Sequence, residues 1–232
     1  MGDSYLERRS ELETYFDRTA AVAWSKLTSD APVSGIRATV RAGRNQMRAT
    51  LLSFLPDDMR GLRVLDAGCG TGALAVEAAR RGADVTAVDI SPTLIGIARE
   101  RLPERMGEGR IQFIAGDMLE LRLGSFDHVV AMDSLIHYSL PDMISMLARL
   151  SSMSRQTIHF TYAPRTPILA LMHMVGKLFP RSDRSPRIVP HGNAALQAAI
   201  LQKDQLQAWG LGRTKLINSG FYISQAQELV VR

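Results

Sequence analysis

One stretch of the sequence restricts the fold more than any other: a short apolar run, residues 63–67, is followed at once by glycines at alternate positions. These glycines, Gly68, Gly70 and Gly72, allow the backbone to turn tightly and to approach a bound molecule closely. A helical pattern starts at Gly72, and the N-terminus of a helix carries partial positive charge. The order of strand, glycine loop and helix predicts a ligand-binding crossover at the edge of a parallel sheet.

The rest of the chain from residue 62 onwards alternates between strand and helix patterns. Such alternation is typical of α/β folds with right-handed crossovers, so we predict a Rossmann-like, seven-stranded and mostly parallel sheet. We expect the strands at residues 63–67, 84–89, 111–115, 126–132, 157–162, 213–219 and 228–231, and helices at residues 72–81, 92–102, 141–151 and 203–209.

Two regions fall outside this alternation. Residues 5–28 and 35–55 have helical patterns, and they predict an N-terminal helical cap, residues 1–61, on a core of residues 62–232. Residues 163–200 follow the fifth strand and contain five prolines. Because plain connections are shorter than this, we expect the insertion to be a lid or a binding loop.

The composition limits the setting in which the protein works. The chain has 232 residues, 46% of them hydrophobic, which suits one α/β unit. Its single cysteine, Cys69, excludes an internal disulfide and favours a cytoplasmic location, and neither a signal peptide nor an apolar run of about 20 residues is seen. The net charge of +5 favours anionic ligands or surfaces. We expect no resident metal ion.

Acidic residues end or follow the first three strands, whose carboxyl ends meet at one edge of a parallel sheet. Asp89 is placed to accept hydrogen bonds from two ribose hydroxyls, and Asp117 from an adenine amino group on which Met118 packs. Gly70, Gly72 and Ala75 also fit the fingerprint of nicotinamide-dependent enzymes, and that cofactor predicts Asp89 equally well. The pair of Asp117 and Met118 favours S-adenosylmethionine.

Together these residues resemble the motifs of class I S-adenosylmethionine-dependent methyltransferases, over residues 62–138. The resemblance implies that S-adenosylmethionine is the cofactor and that Asp66 lies near its ammonium group. The expected cofactor-binding residues are Asp66, Gly68, Gly70, Gly72, Asp89, Ile90, Asp117, Met118 and Met132.

The stretch after the fourth strand, residues 133–138, bears on the substrate. Methyltransferases of nucleic-acid bases place an Asn or Asp, two prolines and an aromatic residue there, and this sequence does not. Aromatic and basic residues are also not interleaved as in a single-strand binding groove. We therefore expect no nucleic-acid substrate.

Motifs outside the common core resemble the magnesium-protoporphyrin IX O-methyltransferase family over essentially the whole chain. They are Tyr15-Phe16-Asp17, Arg41-Ala42-Gly43-Arg44, the loop from Asp133 to Tyr138, Lys177-Leu178-Phe179-Pro180, Arg184-Ser185-Pro186 and Gly220-Phe221-Tyr222. The resemblance implies esterification of a porphyrin propionate in chlorophyll or bacteriochlorophyll synthesis. It also implies contact with a magnesium chelatase subunit and peripheral association with the photosynthetic membrane.

Roles beyond the cofactor site follow from position and chemistry, first of all for the histidine that follows the fourth strand, where the methyl group should arrive. His137 is the expected catalytic residue, and the expected substrate-binding residues are Arg41, Tyr138, Met172, Phe179 and Arg184. His173 and His191 are weaker candidates for axial ligands of the porphyrin magnesium. Plant and cyanobacterial relatives carry a tyrosine where this chain has Thr28, so no catalytic phenol is carried over to that position.

Two alternatives remain open at this point. One is an O-methyltransferase that acts on a quinone-pathway phenol or another small acid. The other is a tetrapyrrole carrier or chelatase partner without significant turnover, against which the three acidic residues Asp66, Asp89 and Asp117 argue.

Overall fold

Seven strands form one sheet in the part of the chain that the computed structural model describes, which is residues 2–19, 28, 35–165 and 187–232. The strands are β1 (Arg63–Ala67), β2 (Asp84–Asp89), β3 (Arg110–Ala115), β4 (Phe126–Ala131), β5 (Ser154–Tyr162), β6 (Trp209–Ser219) and β7 (Tyr222–Val231). Their spatial order is β3-β2-β1-β4-β5-β7-β6, and β7 runs antiparallel to both β5 and β6 while the other pairs are parallel. The predicted Rossmann-like, mostly parallel fold is confirmed.

Six α-helices flank the sheet within the described ranges. They are α1 (Asp3–Thr14), α2 (Gly35–Phe54), α3 (Ala73–Arg80), α4 (Pro92–Glu100), α5 (Leu140–Ser151) and α6 (Asn193–Gln202). Local sequence explains where α4 and α5 begin: the hydroxyls of Ser91 and Ser139 accept from the backbone N–H three residues on, and a proline stands in each first turn.

Successive side chains of each strand point to opposite faces of the sheet, and they pack into two apolar cores, one on each face. Leu65, Val129 and Ile158 share one core with residues of α1, α5 and α6. Val64 and Val130 share the other with residues of α2, α3 and α4. Both layers of helices thus leave the carboxyl ends of β1, β2, β3 and β4 facing a common cavity.

The last two strands are longer than the sequence pattern predicts. They pair as a hairpin whose first residue pair next to the turn is Ser219 with Tyr222. Gly220 adopts a positive φ of 58° in the tight turn between the two strands. Because polar residues interrupt the alternation along 209–231, the pattern alone predicts only the C-terminal part of each strand.

Two predictions between residues 193 and 209 are wrong. The helix expected at residues 203–209 is only a short 3-10 turn, Asp204–Leu206, after which β6 starts at Trp209. The end of the expected lid, residues 163–200, instead forms α6, whose Leu196 and Ile200 are buried in the main core. Apolar residues at four-residue spacing therefore place this segment in the framework rather than in a lid.

The N-terminal segment is helical as predicted over residues 3–19, whereas Thr28, the last residue of the expected helix, lies in a turn. After α1 the chain continues in a π-helix, Tyr15–Thr19, and residues 20–27 of the expected helix lie outside the described residues. One carboxylate oxygen of Asp17 accepts from Thr93 N at 3.1 Å and from the Ser91 hydroxyl at 3.2 Å. Asp17 thereby ties this segment to the N-terminus of α4. No helix among the described residues is long and apolar enough to cross a bilayer.

Candidate active site

A cavity of about 240 Å³ opens at the carboxyl edge of the sheet, above β1, β2 and β4. Its walls come from four parts of the chain: the glycine loop, the segments after β2, β3 and β4, helix α1 with the π-helix, and helix α2. This is where open α/β sheets bind their ligands.

The glycine loop forms the floor of this cavity, and its three glycines all have positive φ: 86° at Gly68, 55° at Gly70 and 78° at Gly72. A side chain at Gly68 would collide with Ser134, and a Cβ at Gly72 would lie 2.9 Å from the ring of Phe113. Gly68 and Gly70 line the cavity, whereas Gly72 is not in its wall and serves to pack the start of α3 against β3.

Asp66 on β1 is buried at the cavity wall, and within the described ranges neither of its carboxylate oxygens has a hydrogen-bond partner of normal geometry. Burial, and to a lesser extent the nearby Asp89, raises the pKa of Asp66 to about 7. Buried carboxylates are normally satisfied, so an unpartnered one in a cavity wall indicates a ligand that donates hydrogen bonds or carries positive charge. An ammonium group does both.

Asp89 ends β2 and is held in one orientation by backbone donors. Gly70 N donates to Oδ2 at 2.7 Å, and Ser91 N donates to Oδ1 at 3.0 Å. Burial nevertheless raises the pKa of this carboxyl group. Since a carboxylate has about four acceptor positions, each oxygen keeps one for a ligand hydroxyl.

Asp117 follows β3 and is already engaged by the N-terminal helix. The Tyr5 hydroxyl donates to both of its oxygens at 2.8 Å, Arg9 Nη1 approaches Oδ2 at 3.2 Å, and Leu119 N donates to Oδ1 at 2.8 Å. The ring of Tyr5 also stacks on Tyr138, with centroids 5.3 Å apart. Helix α1 therefore roofs the end of the cavity at which Asp117 stands.

Helix α2 supplies a basic wall on another side of the cavity. Arg41, Arg44 and Arg48 all line it, as their spacing of three and four residues on one helical face requires. Arg44 Nη1 lies 2.6 Å from Asp133 Oδ2. Burial lowers the pKa of Arg48, although a guanidinium stays charged at any physiological pH. The cavity thus has acidic groups along the sheet edge and three cations on α2.

His137 closes a short 3-10 turn, Leu135–His137, after β4. Its Nδ1 lies 3.2 Å from the carbonyl oxygen of Arg187. Because that carbonyl can only accept, Nδ1 carries the proton and Nε2 keeps its lone pair. Burial lowers the pKa of His137 to about 4, so the ring is neutral at physiological pH. Phe16 packs near it, with ring centroids 6.1 Å apart.

Most of the residues predicted for the site meet in this one cavity. The structure brings together Asp66, Gly68, Gly70, Asp89, Ile90, Asp117, Met118, Met132, His137, Tyr138 and Arg41. Met172, Phe179, Arg184 and His173 lie outside the described residues. His191 is not in the cavity wall: its Nε2 lies 3.1 Å from the carbonyl oxygen of Tyr138, and it pairs with the backbone of Ala163 and Arg165.

Several cavity residues escaped sequence reasoning. Tyr5, Leu12 and Phe16 reach the site only because α1 packs across the sheet edge, and no local pattern signals that packing. Asp133 and Ser134 follow β4 directly, so their place at the carboxyl edge was available as a signal. Arg44 and Arg48 follow Arg41 at helical spacing, but such basic faces are usually solvated, and their place at the cavity depends on how α2 packs.

The fold and the site together define a class I methyltransferase that uses S-adenosylmethionine, and a family profile described as a methyltransferase domain matches residues 64–157. A second profile, described as the C-terminus of magnesium-protoporphyrin IX methyltransferase, matches residues 131–231. The chain belongs to the magnesium-protoporphyrin O-methyltransferase family. It is 51% identical to the magnesium-protoporphyrin O-methyltransferase of Rhodobacter capsulatus over 98% of this chain and 99% of that protein.

Two further relatives are similar over most of the chain, and only the first carries the name of this family. The crystal structure of magnesium protoporphyrin IX methyltransferase from Synechocystis with bound S-adenosylhomocysteine superposes with a TM-score of 0.85 at 28% identity, covering 97% of this chain and 100% of that one. A ubiquinone biosynthesis O-methyltransferase of Xanthomonas campestris is 30% identical over 85% of this chain and 78% of its own length.

Proposed function

We propose that the protein transfers the methyl group of S-adenosylmethionine to one propionate carboxylate of magnesium-protoporphyrin IX, which gives the monomethyl ester. The observation that carries this proposal is the distribution of charge around the cavity, with unpartnered Asp66 on one wall and three arginines of α2 on another. Such a site matches a cofactor with an ammonium group and an acceptor with two carboxylates.

The acidic wall fits the cofactor residue by residue. Asp66 would hold the ammonium group of S-adenosylmethionine, since its two oxygens make no hydrogen bond of normal geometry to the part of the chain that the structure describes. Asp89 would accept the two ribose hydroxyls through the positions that its backbone donors leave open. The cofactor supplies a methyl group on a positively charged sulfonium.

The adenine end fits less simply than the sequence predicts. Asp117 would accept the adenine amino group beside Met118, but Tyr5, Arg9 and Leu119 N already donate to it. Of about four acceptor positions, few remain, so we propose that the amino group shares the carboxylate with Tyr5. Ile90 and Met132 would line the same ligand from neighbouring strands.

The basic wall fits the acceptor. A propionate is ionised at neutral pH, so its oxygen can attack the methyl carbon without a strong base, and positioning is the main catalytic task. Arg41, together with Arg44 and Arg48, would hold the carboxylates, and Tyr138 would border the macrocycle. The new bond joins the carboxylate oxygen to the methyl carbon while the carbon–sulfur bond breaks.

His137 would act on the carboxyl group that reacts. Burial of a carboxyl group beside the sheet edge raises its pKa, so a fraction of the acceptor enters protonated. The lone pair on Nε2 of His137 can accept a hydrogen bond from that O–H and orient the carboxyl group, because the ring is neutral and its Nδ1–H is fixed on Arg187 O. With a pKa of about 4 the ring does not keep the proton, which passes to solvent before the carboxylate attacks. Met172, Phe179 and Arg184 stay predictions as further substrate contacts.

The test is a methyl-transfer assay. Purified protein is incubated with methyl-labelled S-adenosylmethionine and magnesium-protoporphyrin IX, and the porphyrin ester is quantified alongside parallel reactions with a polyprenyl catechol. We expect label in the porphyrin only. Label in the catechol but not in the porphyrin would contradict the proposal and support the quinone-pathway alternative, which the Xanthomonas relative represents.

We also propose that the protein is cytoplasmic, takes its insoluble substrate from a magnesium chelatase subunit and associates peripherally with an anionic membrane. The net charge of +5 supports the last point. Exposed Ile36 and Phe221, on α2 and in the β6–β7 turn, support it as well. Co-sedimentation with anionic and with neutral vesicles tests it, and we expect binding to the anionic vesicles only.

A further inference from the structure

We propose that Asp133 is a positioning residue for methyl transfer, which fixes the basic wall of α2 relative to the loop that carries His137. This inference rests on the function proposed above. It concerns a residue that touches neither reacting group in our assignment but is hydrogen-bonded to three elements of the fold around the cavity.

The backbone of Asp133 is the first observation. Its φ is +55°, and no other non-glycine residue in the described part of the chain has a positive φ. Side chains disfavour this region, although Asp and Asn tolerate it better than most. Strained residues persist where the surrounding structure fixes them, and they concentrate at functional sites.

The surroundings of Asp133 fix it through hydrogen bonds to three side chains, those of Thr161, Arg44 and Tyr222. Its backbone N–H donates to Thr161 Oγ1 on β5 at 2.7 Å. Its carboxylate, only 5% exposed, accepts from Arg44 Nη1 of α2 at 2.6 Å, and from the Tyr222 hydroxyl of β7 at 2.9 Å on Oδ1 and 3.1 Å on Oδ2. Thr161 Oγ1 also lies 3.2 Å from Oδ1.

Helix α2 is adapted to this arrangement. A Cβ at Gly43 would lie 2.5–2.8 Å from three atoms of Tyr222. A glycine inside a helix is unfavourable, so its presence here needs a reason, and the approach of the tyrosine ring supplies one. Because residue 43 has no side chain, Tyr222 can pass under α2 and reach Asp133 while Arg44, the next residue, reaches it from the other side.

The next residue along the chain couples Asp133 to the cofactor loop. The Ser134 hydroxyl donates to the carbonyl oxygen of Ala67 at 2.8 Å, and Gly68 leaves room for its Cβ. His137 follows three residues later in the same short turn. A displacement of Asp133 is therefore transmitted to Arg44 on the acceptor side and to His137 at the reacting centre.

The first test compares Asp133→Asn with the unaltered protein. Asparagine tolerates the same backbone conformation but lacks the charge that holds Arg44. Because small misplacements at a reacting centre lower rates strongly, we expect kcat for porphyrin esterification to fall roughly 10- to 100-fold. The KM for the porphyrin should rise and the melting temperature should fall by a few degrees, because a buried charge-assisted hydrogen bond is lost, while the Kd for S-adenosylmethionine stays unchanged. Tyr222→Phe keeps the ring and should give a smaller effect in the same direction.

A double-mutant cycle with Arg44→Met separates positioning from a general loss of structure. If Asp133 acts through Arg44, adding Asp133→Asn to the Arg44 variant should lower kcat/KM by less than about threefold. The matched control is Asp127→Asn, a carboxylate at the opposite end of β4 that accepts from Arg63 N at 2.8 Å. We expect this control to leave methyl transfer unchanged.

The outcomes are distinguishable. Unaltered kinetics in both Asp133→Asn and Tyr222→Phe would overturn the inference and leave the proposed function intact. A parallel loss of cofactor affinity, melting temperature and kcat would also overturn it, because that pattern indicates a purely structural role. Absence of ester from the unaltered protein would overturn the proposed function and this inference with it.

Discussion

The hydroxyl of Tyr5 lies 2.8 Å from each carboxylate oxygen of Asp117, a residue that follows β3 and stands 112 positions further along the chain. Tyr5 is 1% exposed, and its burial next to this carboxylate raises the pKa of the phenol. The contact joins the first helix of the chain to the adenine end of the proposed cofactor site. Cofactor binding and docking of α1 are therefore linked through one carboxylate.

Removal of the Tyr5 hydroxyl should destabilise the protein. Tyr5→Phe leaves the buried Asp117 with one donor fewer, and hydrogen bonds to charged groups contribute about 1.5–3 kcal/mol. We expect the free energy of unfolding to fall by about that amount in urea denaturation. Ser10→Ala, at an exposed position on the same helix, is the control and should change the free energy of unfolding by under about 1 kcal/mol. Equal urea midpoints for Tyr5→Phe and the parent would contradict the importance of the contact.

Two glycines make a matched pair with opposite expectations. Gly72→Ala places a Cβ 2.9 Å from Phe113 at a φ of 78° and should destabilise by about 1–3 kcal/mol. Gly96 lies inside α4 with no atom within 4 Å of a Cβ, so Gly96→Ala should stabilise by about 0.5–1 kcal/mol. Thermal melting of both variants checks the signs, and a shift of both in the same direction would refute this account.

The parallel half of the sheet was predictable because its strands are short apolar runs with glycine or acidic residues at their ends. β1 and β2 have the predicted bounds, and β3 and β4 differ by one residue. The segment from residue 193 to 209 failed for a physical reason. The strong local signals there are Gly210, directly after the segment, and an apolar residue every few positions, and they fit several helix placements. The burial of Leu196 and Ile200 against α5 decides between these placements.

The residues of the candidate site that could be predicted from the sequence are the polar side chains at the carboxyl ends of strands. Asp66, Asp89 and Asp117 reach the cavity because parallel strands bring their carboxyl ends together. Tyr5 and Arg44 were not predictable, since each depends on how a helix outside the alternating pattern packs on the sheet. The partners of Asp133 come from residues 44, 161 and 222, and only the tertiary fold shows that they meet.

His137→Asn should lower kcat for methyl transfer. Asparagine can keep the hydrogen bond to Arg187 O but has no group in the place of Nε2, and loss of a group that orients the reacting carboxyl should lower kcat roughly 10- to 100-fold. The pKa of about 4 adds a pH criterion. At saturating cofactor, kcat/KM for the porphyrin should show no histidine inflection between pH 6 and 8, and an inflection near 6.5 that disappears in the variant would contradict it.

Binding of S-adenosylmethionine should depend on the ionisation of Asp66. With a pKa of about 7 in the free protein, Asp66 must lose a proton before it can pair with an ammonium group. We expect affinity to fall towards tenfold per pH unit below about pH 7, and to fall again above about pH 8, where an α-amino group loses its charge. Calorimetry from about pH 5.5 to 8.5 tests this. The Asp66→Asn variant should bind S-adenosylmethionine weakly at every pH, and its affinity should not fall further below about pH 7.

The same carboxyl group should make the cofactor-free protein less stable at neutral pH. In the unfolded chain Asp66 has a pKa of about 3.9, so between pH 4 and 7 the native state holds a proton that the unfolded state has lost. The free energy of unfolding must then decrease as pH rises through this range, by up to about 1.4 kcal/mol per unit from this group. Urea titrations without cofactor test this. The free energy of unfolding of Asp66→Asn minus that of the parent should increase from about pH 5 to 7 and should stay constant above about pH 7. A constant difference between the two proteins across that range would show that Asp66 is ionised in the native state, and the unpartnered carboxylate would then have to be stabilised by the fold itself.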